Sequence, residues 1–216
     1  MTGYSTGRRP PWRLVASAVA LAAIWLAMLI GGAGRLDRSI YEALYAGHRP
    51  ALLTAARIFT ELGEPTVLIV AGFIVAAWLW WVGRGRFALA LLLVIFVGRG
   101  LSEIQKYTIA RARPAIEPHL VLVKTSSFPS GHATSSMIFY LTLALALAAN
   151  TRWNRLAAGG AVLLSLLIGT SRVMLGVHWP SDVIGGWSFG MLWVLLTLRP
   201  AERLFGANSA ERPTAL

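Results

Sequence analysis

Three stretches of this chain, Leu14–Gly34, Pro65–Gly83 and Ala133–Thr151, contain no charged residue. About 20 apolar residues are what an α-helix needs to cross roughly 30 Å of hydrocarbon, and a helix satisfies its own backbone there. Two further runs, Leu156–Ser171 and Val183–Leu198, are slightly short, but Arg155, Arg172 and Arg199 flank them and can snorkel to the interface. A sixth run starts at Phe87 and passes Arg99 toward Lys106. The pattern predicts an all-α fold, a six-helix transmembrane bundle with spans at about 14–34, 65–83, 87–106, 132–151, 156–172 and 182–199. One integral-membrane domain over residues 1–216 accounts for the chain.

Composition supports this: 56% of the residues are hydrophobic and only 13% are charged, which is too apolar for an ordinary soluble domain. Within the mixed segment Arg35–Glu64, Ile40, Leu44, Leu52, Leu53, Ile58 and Leu62 predict short interfacial helices between helices one and two. The first run, at 21 residues, exceeds the signal-peptide apolar core of about 7–15 and reads as a retained anchor. Trp at 12, 78, 80, 81, 153, 179, 187 and 193 reads mostly as an aromatic belt. The tail after Arg199 reads as solvated.

The net charge of +11 does not indicate nucleic acid, because the basic residues edge the apolar runs instead of forming a stripe. Six spans put both termini on one side, with Arg8, Arg9, Arg13, the turn Gly83–Arg86, Arg152, Arg155, Arg199, Arg203 and Arg212. Lys and Arg divide evenly between the two sides, but the short turns on the termini side carry no acid. That places the termini in the cytoplasm. The absence of Cys excludes disulfides and thiolate metal sites.

With this topology three polar clusters share the opposite face: Lys106–Pro114 after helix three, Pro129–His132 before helix four, and Ser171–Asp182 between helices five and six. Lys106, Arg113 and Arg172 are cations that need an anion, and an Arg fork matches phosphate oxygens. Ser130 is a good N-cap, and Gly131 lets backbone N–H groups at a helix start approach a phosphate. His178 and Asp182 are four apart with Pro180 between, so the carboxylate in the first turn of helix six can reach back to one imidazole nitrogen. The other nitrogen is then free as a nucleophile. His132 could face it across the phosphate as the acid that protonates the leaving oxygen and the base that activates water. The cations take the role often given to Mg²⁺, and no carboxylate cluster is available to hold a metal.

These residues, Lys106 with Arg113-Pro114, then Pro129-Ser130-Gly131-His132, then Ser171-Arg172 with His178 and Asp182, resemble the three ordered motifs of the type 2 phosphatidic acid phosphatase and vanadium haloperoxidase superfamily. The six-helix layout resembles its bacterial lipid phosphatases. The resemblance implies phosphate binding by Lys106, Arg113, Ser130, Gly131 and Arg172, with His178 as nucleophile, His132 as acid/base and Asp182 orienting His178. It implies hydrolysis of phosphatidic acid, phosphatidylglycerol phosphate, undecaprenyl pyrophosphate or a related lipid phosphate. The expected location is a bacterial inner membrane, with the site on the periplasmic face. No metal, cofactor, nucleic acid or obligate protein partner is expected.

Other residues read as structural. His48 and His119 pair with nothing by spacing, and Arg111 and Lys124 read as interface charges. Arg99 and Glu103 share a helix face with Lys106 and read as a pair that makes the helix end tolerable. A haloperoxidase would not need a bilayer. A transporter or scramblase is less consistent, since the polar clusters sit at helix ends and no inverted repeat is visible. If Lys and Arg replace the metal, activity in EDTA stays near its untreated rate. Vanadate inhibits, because its adduct with His178 mimics the transferring phosphoryl group. Phosphate release with and without each reagent checks both; loss in EDTA restored by Mg²⁺ would count against the scheme.

Overall fold

The structure, a computed structural model, describes residues 11–148 and 151–206, without side chains at residue 11 or 199–206. The charges at Arg8, Arg9, Arg199, Arg203 and Arg212 that entered the topology argument lie outside what is described. Among the described residues there are eight helices and no strand: α1 (Pro11–Gly31), α2 (Arg35–Leu44), α3 (Pro50–Leu62), α4 (Pro65–Trp81), α5 (Gly85–Ile109), α6 (Gly131–Leu147), α7 (Asn154–Met174) and α8 (Pro180–Gly206). Pro opens α3, α4 and α8, where the missing N–H would have had no helical partner. Ala110, left-handed at φ 49°, stops α5 and returns its N–H to the Lys106 carbonyl.

The all-α expectation holds, and each predicted span coincides with a helix. Segments of α1, α5, α7 and α8 are long and apolar enough to cross a membrane, consistent with an integral membrane protein. The count of six is not reached by that measure. The 17-residue α4 qualifies only together with α3, across a 42° bend, and α6 is a shorter apolar helix of 17 residues. The expected interfacial segment is α2 and α3, the latter continuing into this bent pair. The tail after Arg199 begins as helix, since α8 runs on to Gly206.

α1 packs on α8, α6 lies between α7 and α8, and α5 joins α4 to both α6 and α8. The main core holds Leu79, Leu91, Met137, Ile138 and Val194. A smaller cluster, with Tyr41, Tyr45, Ala133, Val173 and Val183, fastens α2 to the ends of α6, α7 and α8 that carry the polar motifs. The belt reading needs a correction. Trp12, Trp78, Trp80, Trp81 and Trp153 are exposed as a belt requires. Trp193 instead donates to the Val94 carbonyl at 2.8 Å, Trp187 to that of Ser165 at 2.9 Å, and Trp179 to that of Ala112 at 3.1 Å. These half-buried indoles tie segments together through their one N–H donor.

Gly98 makes the α5–α8 tie possible: a Cβ there would lie 2.5 Å from Trp193 Nε1 and 2.8 Å from Ile138 Cδ1. Gly98→Ala therefore destabilises by about 1–3 kcal/mol, the usual cost of overpacking. Gly100→Ala, where nothing lies within 4 Å, is neutral or stabilising. Thermal unfolding of both variants in detergent checks the contrast.

Candidate active site

The ends of five helices, α3 to α7, and the two connections that follow α5 and α7 meet around one cavity of about 430 Å³. Lys106 comes from the last turn of α5 and Arg113 from the loop after it. Gly131 and His132 open α6, Arg172 closes α7, and His178 stands in the short connection to α8. Thr60, Glu61 and Glu64 complete the wall from the α3–α4 bend, with Arg99, Glu103 and residues 121–125. Ser130 and Asp182 are fully buried beside the cavity and not on its wall. Another concavity, between α6 and α7, is lined mainly by apolar residues such as Leu143, Leu147 and Leu164. It holds none of the predicted groups.

Lys106 and Arg172 are 5% and 6% exposed, which isolated cations do not tolerate. Among the described residues neither they nor Arg113 make an ion pair. Neutral oxygens hold them in place. Lys106 Nζ donates to the Ser126 carbonyl at 3.1 Å, and Arg172 Nη1 to Thr60 Oγ1 at 2.6 Å. Arg113 donates to the carbonyls of Thr125, at 2.8 Å, and Val177, at 2.5 Å. The Arg172 Nε and the Ser130 hydroxyl have no partner. Ser130 occupies the N-cap position, but its side chain makes no cap bond, contrary to the expectation for a capping Ser.

His178 lies with Nε2 3.2 Å from Arg113 Nη1. Its Nδ1 is 3.5 Å from Asp182 Oδ2, an ionic distance, and closer, at 3.3 Å, to the Ser127 hydroxyl. Ser127 donates its one proton to Asp182 Oδ2 at 2.5 Å, so toward His178 it can only accept. The hydrogen-bond pattern thus places the imidazole proton on Nδ1 and the lone pair on Nε2. Burial, and then the charges of Arg113, Lys106 and Arg172, hold the His178 pKa well below the ordinary imidazole range. Burial likewise lowers that of Arg113. Asp182, with no exposed surface, also accepts from the Trp179 N–H at 2.9 Å and from Arg111 Nη1 at 2.8 Å. His132 Nε2 stands 3.4 Å from Glu64 Oε2, an ionic separation without hydrogen-bond alignment.

Residues 86–204 match the model of the PAP2 superfamily. The chain belongs to the PAP2 superfamily. It is 32% identical over 164 residues to phosphatidylglycerophosphatase B of Bacillus subtilis, covering 74% of this chain and 80% of that protein. It is 32% identical over 114 residues to the undecaprenyl-diphosphatase of Sulfolobus acidocaldarius, covering 50% of this chain and 52% of that one. A crystal structure of a transmembrane PAP2-type phosphatidylglycerolphosphate phosphatase from Bacillus subtilis superposes with a TM-score of 0.78 at 27% identity, covering 91% of this chain and 99% of that one. The expectation of a PAP2 membrane phosphatase for lipid phosphates is borne out by these matches.

In this PAP2 chain the cavity brings together six of the eight predicted site residues and leaves Ser130 and Asp182 behind its wall. Two further residues that were not singled out hold predicted ones, Thr60 on Arg172 and Ser127 on Asp182; Glu64 lies near His132, and Asp37 accepts from the backbone N–H of Ser181, the neighbour of Asp182, at 2.9 Å. Arg111 is not an interface charge; its side chain is mostly buried and paired with Asp182. His119 is structural as expected, bonded to the Pro114 carbonyl at 2.7 Å, and His48 packs edge-on against Tyr45. Arg99 and Glu103 stand 3.8 Å apart, a loose pair on the cavity wall.

The depressed His178 pKa has a sign that can be measured. Once unfolded, this imidazole binds a proton near pH 6.5, while the folded one stays neutral. It therefore contributes a loss of stability as pH falls below about 6.5, up to about 1.4 kcal/mol per pH unit. Thermal unfolding between about pH 7.5 and 5 shows a steeper decline for the wild-type protein than for His178→Gln, which has nothing to protonate there.

Proposed function

We propose that this PAP2 protein removes phosphate from a lipid mono- or diphosphate through a covalent phosphohistidine on His178. One observation carries the reading: the buried Lys106 and Arg172 and the half-buried Arg113, none with a carboxylate partner among the described residues, converge on a cavity that also holds His178 and His132. A phosphate supplies the charge this cluster lacks, and equatorial oxygens are what such cations stabilise in phosphoryl transfer.

In the first step the His178 Nε2 lone pair attacks phosphorus and the bond to the leaving oxygen breaks. Protonated His132 donates to that oxygen. In the second step His132 takes a proton from water, the water oxygen attacks phosphorus, and the P–N bond breaks to return its electrons to Nε2. Arg113, beside Nε2 in the structure, yields that position to phosphorus and binds a phosphate oxygen. The Gly131 backbone completes the phosphate site on the cavity wall, and the unpartnered Ser130 hydroxyl behind it joins by turning its side chain toward the cavity. Asp182, through Ser127, keeps the His178 proton on Nδ1 and balances the positive imidazole of the intermediate.

The names of the relatives support phosphatidylglycerol phosphate or undecaprenyl pyrophosphate as the substrate class, and the motif resemblance adds phosphatidic acid. We place the protein in a bacterial inner membrane with six spans, α4 and α6 among them, the termini cytoplasmic and the cavity periplasmic. The clustering of the site residues at one end of the helices supports a single face for the site, and the acid-free, Arg-bearing short turns on the other side support cytoplasmic termini.

The test is phosphate release by purified protein in detergent, comparing a monophosphate glycerolipid with a polyprenyl diphosphate. His178→Ala abolishes turnover, and His132→Ala lowers it by about 10²–10⁴-fold, the range for a lost general acid/base. A His178→Ala protein working at a near-normal rate would sink the mechanism.

A further inference from the structure

Two Arg residues stand two positions apart after α5, and their guanidinium groups have different surroundings. Arg113 lines the cavity; Arg111 does not. One nitrogen of Arg111, Nη2, donates to the carbonyls of Met28, at 2.9 Å, and Leu29, at 2.7 Å, in the last turn of α1. The other, Nη1, donates to Asp182 Oδ1 at 2.8 Å and to Ser181 Oγ at 3.1 Å. The Phe128 ring lies beneath, 4.3 Å from the guanidinium carbon to its centroid. Carbonyls in the last turn of a helix have no intrahelical donor, and a planar fork is suited to serve two acceptor groups at once.

We propose that Arg111 is a positioning residue for the hydrolysis, fixing the Asp182 carboxylate from the end of α1 so that Oδ2 is committed to the Ser127–His178 chain. The inference rests on the reading in which Asp182 orients His178. The two carboxylate oxygens divide the work. Oδ1 is taken by Arg111, while Oδ2 accepts from Ser127 and the Trp179 N–H. A carboxylate pinned through Oδ1 cannot rotate to turn Oδ2 away from Ser127. Arg111 also supplies the counter-charge for a carboxylate with no water contact. Arg111 thus acts on the reacting nitrogen only through Asp182, Ser127 and His178, and touches no part of the cavity where phosphate would sit.

The chain leaving α1 fits closely over this pair. A Cβ on Gly32 would collide with Arg111 Nη1, lie 2.5 Å from Ser181 Oγ and lie 2.7 Å from the Met28 carbonyl oxygen, which itself accepts from Arg111. Gly32→Ala must therefore displace the guanidinium or the α1 carbonyl that holds it, and it disturbs this anchor while replacing no group in the cavity.

The experiment measures phosphate release and vanadate inhibition for the full-length protein in detergent, with Arg111→Gln, Asp182→Asn, their combination, and Gly32→Ala. Arg111→Gln is expected to lower kcat by about 10–100-fold, the range for losing a supporting partner outside the reacting shell. KM and the vanadate inhibition constant stay within about threefold, since uniform binding is untouched. In the D182N background the same change costs less than about threefold in kcat, because the group it acts through is gone. Gly32→Ala lowers kcat in the same direction, again with KM unchanged.

The inference is overturned if Arg111→Gln keeps kcat within about twofold of wild type, if its loss falls on KM and vanadate, or if the fold-loss is equal in both backgrounds. If Arg111→Gln cannot be purified folded, Gly32→Ala decides: a folded variant with unchanged kcat overturns the proposal. An Asp182→Asn protein turning over at the wild-type rate would instead overturn the reading of the site itself.

Discussion

The Asp182 carboxylate is sealed from water at the point where α8 begins, and the parts of the molecule that meet there are arranged to make that tolerable. Three donors reach it: the Ser127 hydroxyl, the Trp179 N–H and Arg111. An unpaired buried charge costs several kcal/mol, so these partners are a condition of folding as well as of chemistry. The same residue's carbonyl accepts from the Ser130 N–H at 3.0 Å, hanging the start of α6 on the start of α8. At the preceding residue, Ser181, the N–H and the hydroxyl both donate to Asp37, bringing α2 to the same helix. Segments distant in sequence are thereby fixed around the first turn of α8.

The cluster of like charges is tolerated for a related reason. Lys106 and Arg172 sit in the last turns of α5 and α7, where the helix dipole is negative and carbonyls lack donors. α6 points the other way, presenting its first turn to the cavity through Gly131 and His132. Cations at two helix C-termini and an anion site at a helix N-terminus are mutually consistent. The backbone therefore offsets part of the cost of the cluster, and a bound anion would relieve more.

Much of this was legible in the sequence because it depends on composition and short spacings. Charge-free runs located the helices, and the intervals joining Lys106 to Arg113 and His178 to Asp182 survive as real proximity. What spacing could not give was long-range pairing. Arg111 looked like one more basic residue at a membrane edge, because its partners in α1 and α8 lie 82 residues before it and 71 after it. Ser127 carried no signal, since its role depends on a loop that folds back from Arg111, whose carbonyl accepts the Ser127 N–H at 2.8 Å. The interior Trp residues were misread for the same reason: an indole near the end of an apolar run looks like a belt residue until its acceptor on another segment is known. Span counting was limited by length, since α4 and α6 are each 17 residues long.

α1 has an unusual relation to the rest. Its membrane-length stretch contains no buried residue, yet its end holds the guanidinium on which Asp182 leans, and it does so with backbone carbonyls. Backbone is contributed equally by any apolar residue, so Met28 and Leu29 are free to change while remaining greasy, unlike Trp25, whose indole donates to Gln105 at 3.0 Å. The register of its end is not free. A residue added to or removed from the few that join Leu29 to α2 would turn the Met28 and Leu29 carbonyls off their donor, by about 100° and about 1.5 Å per helical residue. The last turn of α1 should therefore accept apolar substitutions at these two positions and resist any change of length in the chain that follows.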